Sequence, residues 1–160
     1  MQLSVGINQT KKMCLIDDPL IKMFTVKGSP KAQKRHRHTR KGFTYDPSVN
    51  DKRDFLALMH SEAPKSPYMG AITLKVRFCM PYPKKWFRTG KYAGQLKPNA
   101  PVIYTNKPDI DNMLKFIMDS GNGVIWHDDS QIWKVVVEKV YSLSPETEIW
   151  VTTEESNESN

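Results

Sequence analysis

The chain has 160 residues, 24 Lys and Arg against 17 Asp and Glu, and two cysteines, Cys14 and Cys79. That length suits one compact domain with a core of its own. The 39% hydrophobic and 26% charged content excludes disorder as the overall state, and two cysteines exclude a disulfide framework or a zinc finger. No apolar run reaches membrane-spanning length and Met1–Asp18 has no signal-peptide core, so the expectation is a soluble protein of a reducing cytoplasm.

Residues 1–19 show little pattern and read as a leader to a domain over 20–153, followed by an acidic flexible tail at 154–160. IKMFTVKG alternates as a strand does. SPKAQKRHRHTRKGFTY then reads as a basic loop closing into a short hairpin at Lys41-Gly42, with Phe43 and Tyr45 on its return. Residues 48–59 suit a helix with Ser48 as N-cap and Val49, Phe55, Leu56 and Met59 on its apolar face. In AITLKVRFCM, Ile72, Leu74, Val76, Phe78 and Met80 alternate with polar residues and Cys79, the period of a half-buried strand. Pro81 to Pro108 is loop-like.

Ile110, Met113, Leu114, Ile117 and Met118 then mark an amphipathic helix, which Gly121 and Gly123 stop. GVIW and IWKVVVEKVY read as strands flanking His127-Asp128-Asp129-Ser130, and TEIWVTT as a last strand paired to the second of them. The implied class is α+β, one small domain with a mixed sheet and two main helices.

Positive charge gathers in two places. Lys31, Lys34, Arg35, Arg37, Arg40 and Lys41 form one cluster, and Lys84, Lys85, Arg88, Lys91, Lys97 and Lys107 the other. Both suit a polyanion. Against this background KPDIDNMLKFIMDSGNGVIWHDDSQI collects Asp109, Asp111, Asp119, Asp128 and Asp129. Helix chemistry accounts for part of it: Asp109 suits an N-cap, and Asp111, Lys115 and Asp119 suit an i, i+4 ladder. It does not account for Asp128-Asp129, nor for Asp119 at the unfavourable end of the helix dipole. If the chain returns so that Asp128 or Asp129 approaches the helix entrance, three carboxylates converge, and oxygen ligands of that kind suit Mg²⁺ or Mn²⁺. An EF-hand is excluded, because Met113 and Leu114 stand where it needs an oxygen ligand and a glycine. His36, His38 and His60 make no metal pattern with His127.

The run from Lys107 to Ile132, with D-x-D-N-x-x-K, an N-G turn and D-D-S-Q, resembles the signature of RusA-type Holliday junction resolvases. KGSPKAQKRHRHTRKGFTYDP and CMPYPKKW are more weakly similar to the family's early strand, basic loop and mid-chain strand exit. The resemblance implies that Asp109, Asp111 and Asp129 bind the metal and that Lys115 is a catalytic lysine. It implies Mg²⁺, replaceable by Mn²⁺, paired phosphodiester hydrolysis at four-way DNA junctions in recombination and repair, and a homodimer. Lys34, Arg35, Arg37, Arg40, Lys84, Lys85, Arg88 and Lys107 are the expected phosphate contacts. Trp86 and Phe87 either stack on opened bases or pack in the core. Asn112 suits either a hydrogen bond to a ligand carboxylate or an ordinary exposed helix position. The competing expectation is a non-catalytic basic DNA-binding module whose Asp residues serve only as caps and ion pairs.

Overall fold

The computed structural model describes residues 21–154 apart from 39, 60 and 61, so the leader at 1–19, Cys14, His60 and the tail beyond Glu154 lie outside the described residues. The strands and main helices of the described residues are, in order, β1 (Ile21–Lys27), β2 (Arg37–His38), β3 (Thr44–Tyr45), α1 (Val49–Met59), β4 (Ala71–Pro81), α2 (Ile110–Gly121), β5 (Ile132–Ser142) and β6 (Glu146–Glu154). The main sheet has the order β1-β6-β4-β5, parallel only between β4 and β5, while β2 and β3 form the small hairpin expected around Gly42. This is a mixed-sheet α+β domain with two main helices.

The alternation of β4 dictates which face is covered. Ile72, Leu74, Val76 and Phe78 are fully buried beside Phe24, Ile149 and Val151, and against them pack Phe55 and Met59 of α1 and Met113, Phe116 and Ile117 of α2. β4, the long connection, α2 and β5 make a βαβ unit. In such a unit the helix runs antiparallel to its strands. The start of α2 therefore lies where β4 and β5 end, and its finish where they begin. Hydrogen bonds mark both places. Lys139 Nζ, late in β5, donates to Pro108 O at 2.7 Å, whereas Ile125 N–H donates to Gly121 O and Tyr68 N–H to Ile125 O, each at 2.8 Å, beyond the far end.

Four expectations are corrected: the apolar stripe of α2, the strand at GVIW, the partner of β6 and the place of Val49 on the buried face of α1. The buried face of α2 is Met113, Phe116, Ile117, Ser120 and Gly121, with Ile110 exposed and Leu114 and Met118 only half-buried. The face is turned toward Phe116 because Trp126 lies flat on Gly121, where an added Cβ would fall inside its indole. GVIW is a turn rather than a strand: Gly123, at φ +72°, donates its N–H to Trp126 O at 2.8 Å. β6 pairs with β4 and β1, not β5, because the parallel pairing of β5 leaves the other edge of β4 open and Leu143–Pro145 crosses the end of β4. The 81–108 connection is irregular, as expected, and is folded back on itself through 3-10 turns at Lys84–Trp86 and Gly90–Tyr92 and backbone bonds Arg88 N–H to Gln95 O (2.8 Å) and Lys97 N–H to Trp86 O (2.9 Å). In α1, Val49 is exposed, and the Ser48 hydroxyl accepts from the Lys34 N–H at 2.8 Å, tying the basic loop to the helix start.

Asp119 finds its counter-charge outside its own helix. Lys52 of α1 reaches Asp119 at 3.2 Å and Asp46 at 2.9 Å, joining the two helices and the turn before α1. Burial raises the Asp46 pKa, but Lys52 and the Ser48 N–H more than offset it and hold the carboxyl below its usual range. A depressed folded pKa contributes stability above the unfolded value and loses it as pH falls. Lys52→Met is therefore expected to flatten the acid limb of the stability profile below about pH 4, read by thermal unfolding across pH; an unchanged limb would remove this bridge as its cause.

Candidate metal and nucleic-acid site

Asp109 occupies the N-cap position of α2, yet its side chain makes no capping bond. Asp111 lies in the first turn and Lys115 one turn later, both exposed. Among the described residues neither forms an ion pair, and Asp119 is committed to Lys52, so the ladder that would explain these charges structurally is not formed. Two carboxylates and an ammonium are left facing solvent at one helix entrance. Their place there costs the helix little, since acidic groups in a first turn suit its dipole.

The entrance is held from below. Lys139 Nζ donates to Asn106 O at 2.9 Å as well as to Pro108 O, Tyr104 Oη donates to Lys107 O at 2.6 Å, and Asn106 Nδ2 donates to Tyr141 Oη at 2.9 Å. Tyr82 stacks on Tyr141 at 4.7 Å, and Tyr104 meets Tyr141 edge-on at 4.8 Å. Sequence reading missed this support. One signal was available: Lys139 occupies the same face of β5 as Val135 and Val137, and a lysine on an apolar face needs a reason.

Asp128 and Asp129 have separate tasks. Asp128 caps a 3-10 turn at Asp129–Gln131, accepting from Ser130 N–H at 2.9 Å, and hydrogen bonds from Ser130 lower its pKa. Gln131 completes the lock: its Oε1 accepts from Asp128 N–H at 2.8 Å, and its Nε2 donates to Tyr68 O at 3.1 Å and Gly70 O at 2.9 Å. Among the described residues Asp129 has no such partner.

This turn adjoins the finish of α2, through Tyr68 and Ile125, not its start. A helix of 12 residues is about 18 Å long. The return of the chain therefore does not bring Asp129 to Asp109 and Asp111 within one subunit. Among the described residues no three Asp, Glu, His or Cys side chains converge closely enough to hold a metal ion. The donor chemistry nevertheless suits Mg²⁺ or Mn²⁺, because these are oxygen ligands with no structural partner to displace among the described residues.

Both basic loops belong to the Asp109 end. Gln33 N–H donates to Asn112 O at 2.9 Å, seating the first loop on the opening turn of α2. Arg35, Arg37 and Arg40 are exposed there, while Lys34 pairs with Asp51 at 2.6 Å. The second loop leaves the end of β4 with Lys84 and Lys85 exposed, Arg88 over the Tyr92 ring at 3.9 Å, and Lys85 over the Trp86 ring at 5.5 Å. Trp86 and Phe87 are both half-buried, Phe87 edge-on to Tyr82 at 6.4 Å. Lys107 is exposed immediately before the entrance.

Residues 27–152 match the family model described as Endodeoxyribonuclease RusA. The chain is also 33% identical over 138 residues to YqaN, an uncharacterized protein of Bacillus subtilis (strain 168), a match that covers 80% of this chain and 93% of that protein. Gln131 offers a test of the turn that carries Asp129. Gln131→Ala removes three hydrogen bonds and is expected to cost about 1–3 kcal/mol, measured by denaturant unfolding; a cost near zero would mean that the turn holds itself.

Proposed function

The chain belongs to the RusA endodeoxyribonuclease family, and on that footing we propose that it is a homodimeric, Mg²⁺-dependent resolvase of branched DNA, acting in recombination and repair. The observation that carries this reading is the pair of carboxylates, Asp109 and Asp111, beside the Lys115 ammonium, with no structural partner among the described residues, at a helix entrance between two basic loops. A DNA-binding module using these groups only as caps and ion pairs is disfavoured by the missing cap bond of Asp109 and the missing Asp111–Lys115 pair.

In this reading Asp109 and Asp111 hold the cation from one subunit, and Asp129 of a second copy completes the set, because α2 keeps the two groups apart within a chain. When bound, Mg²⁺ supplies an activated water and neutralises charge at the phosphate. Lys115 stabilises negative charge developing on the scissile phosphate. Lys139 and the tyrosines keep the α2 entrance in place, so the carboxylates need only side-chain adjustment. Lys84, Lys85, Arg88, Arg35, Arg37, Arg40 and Lys107 neutralise the DNA backbone around an otherwise repulsive acidic centre. A two-fold dimer supplies the two sites that symmetric nicking of a four-way junction requires.

The reading is tested with labelled four-way junctions. Asp111→Asn and Lys115→Ala are each expected to lower Mg²⁺-dependent cleavage by orders of magnitude while leaving junction binding intact. Cleavage by Asp111→Asn at the parent rate would falsify the metal assignment. Asp111→Asn mixed with Asp129→Asn is expected to regain nicking that neither has alone, since one site of the mixed dimer is then intact; no regain means that the site is not shared. Changing Lys84, Lys85 and Arg88 together to Ala should flatten the salt dependence of binding by a slope of roughly one for each phosphate that is no longer neutralised, and an unchanged slope excludes the loop from the DNA interface.

A further inference from the structure

Strand β5 is an edge of the main sheet. Its outer side is covered only toward its end, where Tyr104 N–H donates to Lys139 O at 3.2 Å and Tyr141 N–H donates to Val102 O at 2.7 Å. Those bonds also set the parity of the strand. Odd-numbered residues after the start turn their N–H and C=O outward, so Val135 and Val137 present theirs to the free edge, and Val136 turns its own toward β4. Among the described residues no backbone group pairs with that stretch of the edge. Large apolar side chains lie along it: Trp133 is 63% exposed, Val136 47% and Ile103, opposite Val140, 71%. An open apolar edge of this kind is one that monomeric proteins blunt or cover.

We infer that β5 is the subunit contact, the free edges of two copies pairing antiparallel across a two-fold axis at Val136; this rests on the homodimer proposed above. The register follows from the residues. Val135 faces Val137 of the second copy, so the outward N–H and C=O groups of both meet partners. Lys134 faces Glu138 of the second copy, whose carboxylate also holds Arg77 of its own chain at 2.5 Å, so opposite charges meet on each side of the axis. Val136 faces itself.

The ladder then stops where it must. Trp133 is the extra residue of a β-bulge, since Ile72 is opposite Ile132 while Thr73 is opposite Lys134. Bulges end pairing and re-aim side chains. At that point the segment holding Val102 to Tyr104 of the second copy already occupies its own edge, and the indole of Trp133 is placed against Ile103. The same operation carries the start of β5, preceded by Asp129, to the end of β5 in the second copy, where Lys139 holds Pro108 ahead of Asp109.

Cysteine cross-linking and sedimentation test the contact. In a Cys14→Ser background, Val136→Cys is expected to give a covalent dimer under mild oxidation on a non-reducing gel. Self-paired residues at a position without ladder hydrogen bonds lie about 4.5 Å apart, within disulfide reach. Val136→Lys sets two ammonium groups face to face and is expected to weaken dimerisation about ten-fold or more in sedimentation equilibrium, with thermal unfolding little changed because the site is exposed. Met23→Lys on β1, the opposite edge strand, should leave the dimer intact. The inference is overturned if the parent sediments as a monomer where it cleaves junctions, or if Val136→Cys fails to cross-link and Val136→Lys dimerises as the parent does. Regained nicking in the Asp111→Asn and Asp129→Asn mixture with an unaffected Val136→Lys dimer sinks the β5 contact alone. Monomeric Val136→Lys with no regained nicking sinks the shared site alone.

Discussion

The antiparallel run of α2 against β4 and β5 is the constraint on which the arrangement of this molecule depends. A parallel strand pair needs a crossover, and here the crossover helix carries two carboxylates and a lysine at its entrance. Asp109, Asp111 and Lys115 are set by the start of that helix, whereas Asp128-Asp129 follows the turn beyond its finish. One geometric fact thus places two basic loops around one carboxylate pair and sends the third carboxylate to the other end of the strands. The proposed dimer answers that separation, and a family of endodeoxyribonucleases is where such an arrangement has a use.

Positions without a structural partner are informative because their neighbours have one. Asp119 is bound by Lys52, Asp128 by the turn it caps, and Lys34 by Asp51. Burial or pairing accounts for these charges. Asp109, Asp111 and Lys115 remain at the entrance without such an account, on a backbone that Lys139, Tyr104 and Asn106 hold from beneath. Holding reactive groups on a rigid support while leaving their polar atoms free is the pattern expected of a site that must bind something.

Much of the fold was legible because period and burial coincide. The alternation of β4 and the spacing of α2 produced the right elements at nearly the right bounds, and Lys41-Gly42 marked its hairpin. GVIW misled because four such residues cannot be told apart as strand or buried turn without knowing that Trp126 folds back on Gly121. β6 misled because a short link suggests a hairpin, whereas β4 had one edge left to fill. The exposure of Ile110 and the burial of Phe116 differ from the expected stripe by a small rotation that neighbours, not periodicity, decide.

The sequence by itself determined the element types, the two basic loops and the signature that carries the family resemblance, because these depend on local spacing and residue chemistry. Only the tertiary structure decided that Lys52 neutralises Asp119, that Gln131 and Lys139 support the two halves of the proposed site, and that β5 is an edge to which Val135 and Val137 turn their backbone N–H and C=O groups while their side chains pack on the core. It also decided that Asp129 and Asp109 stand at opposite ends of α2. The reason is physical: a sequence specifies distances along the chain, but which ends meet across space depends on the direction of a crossover helix and on strand pairing between residues far apart.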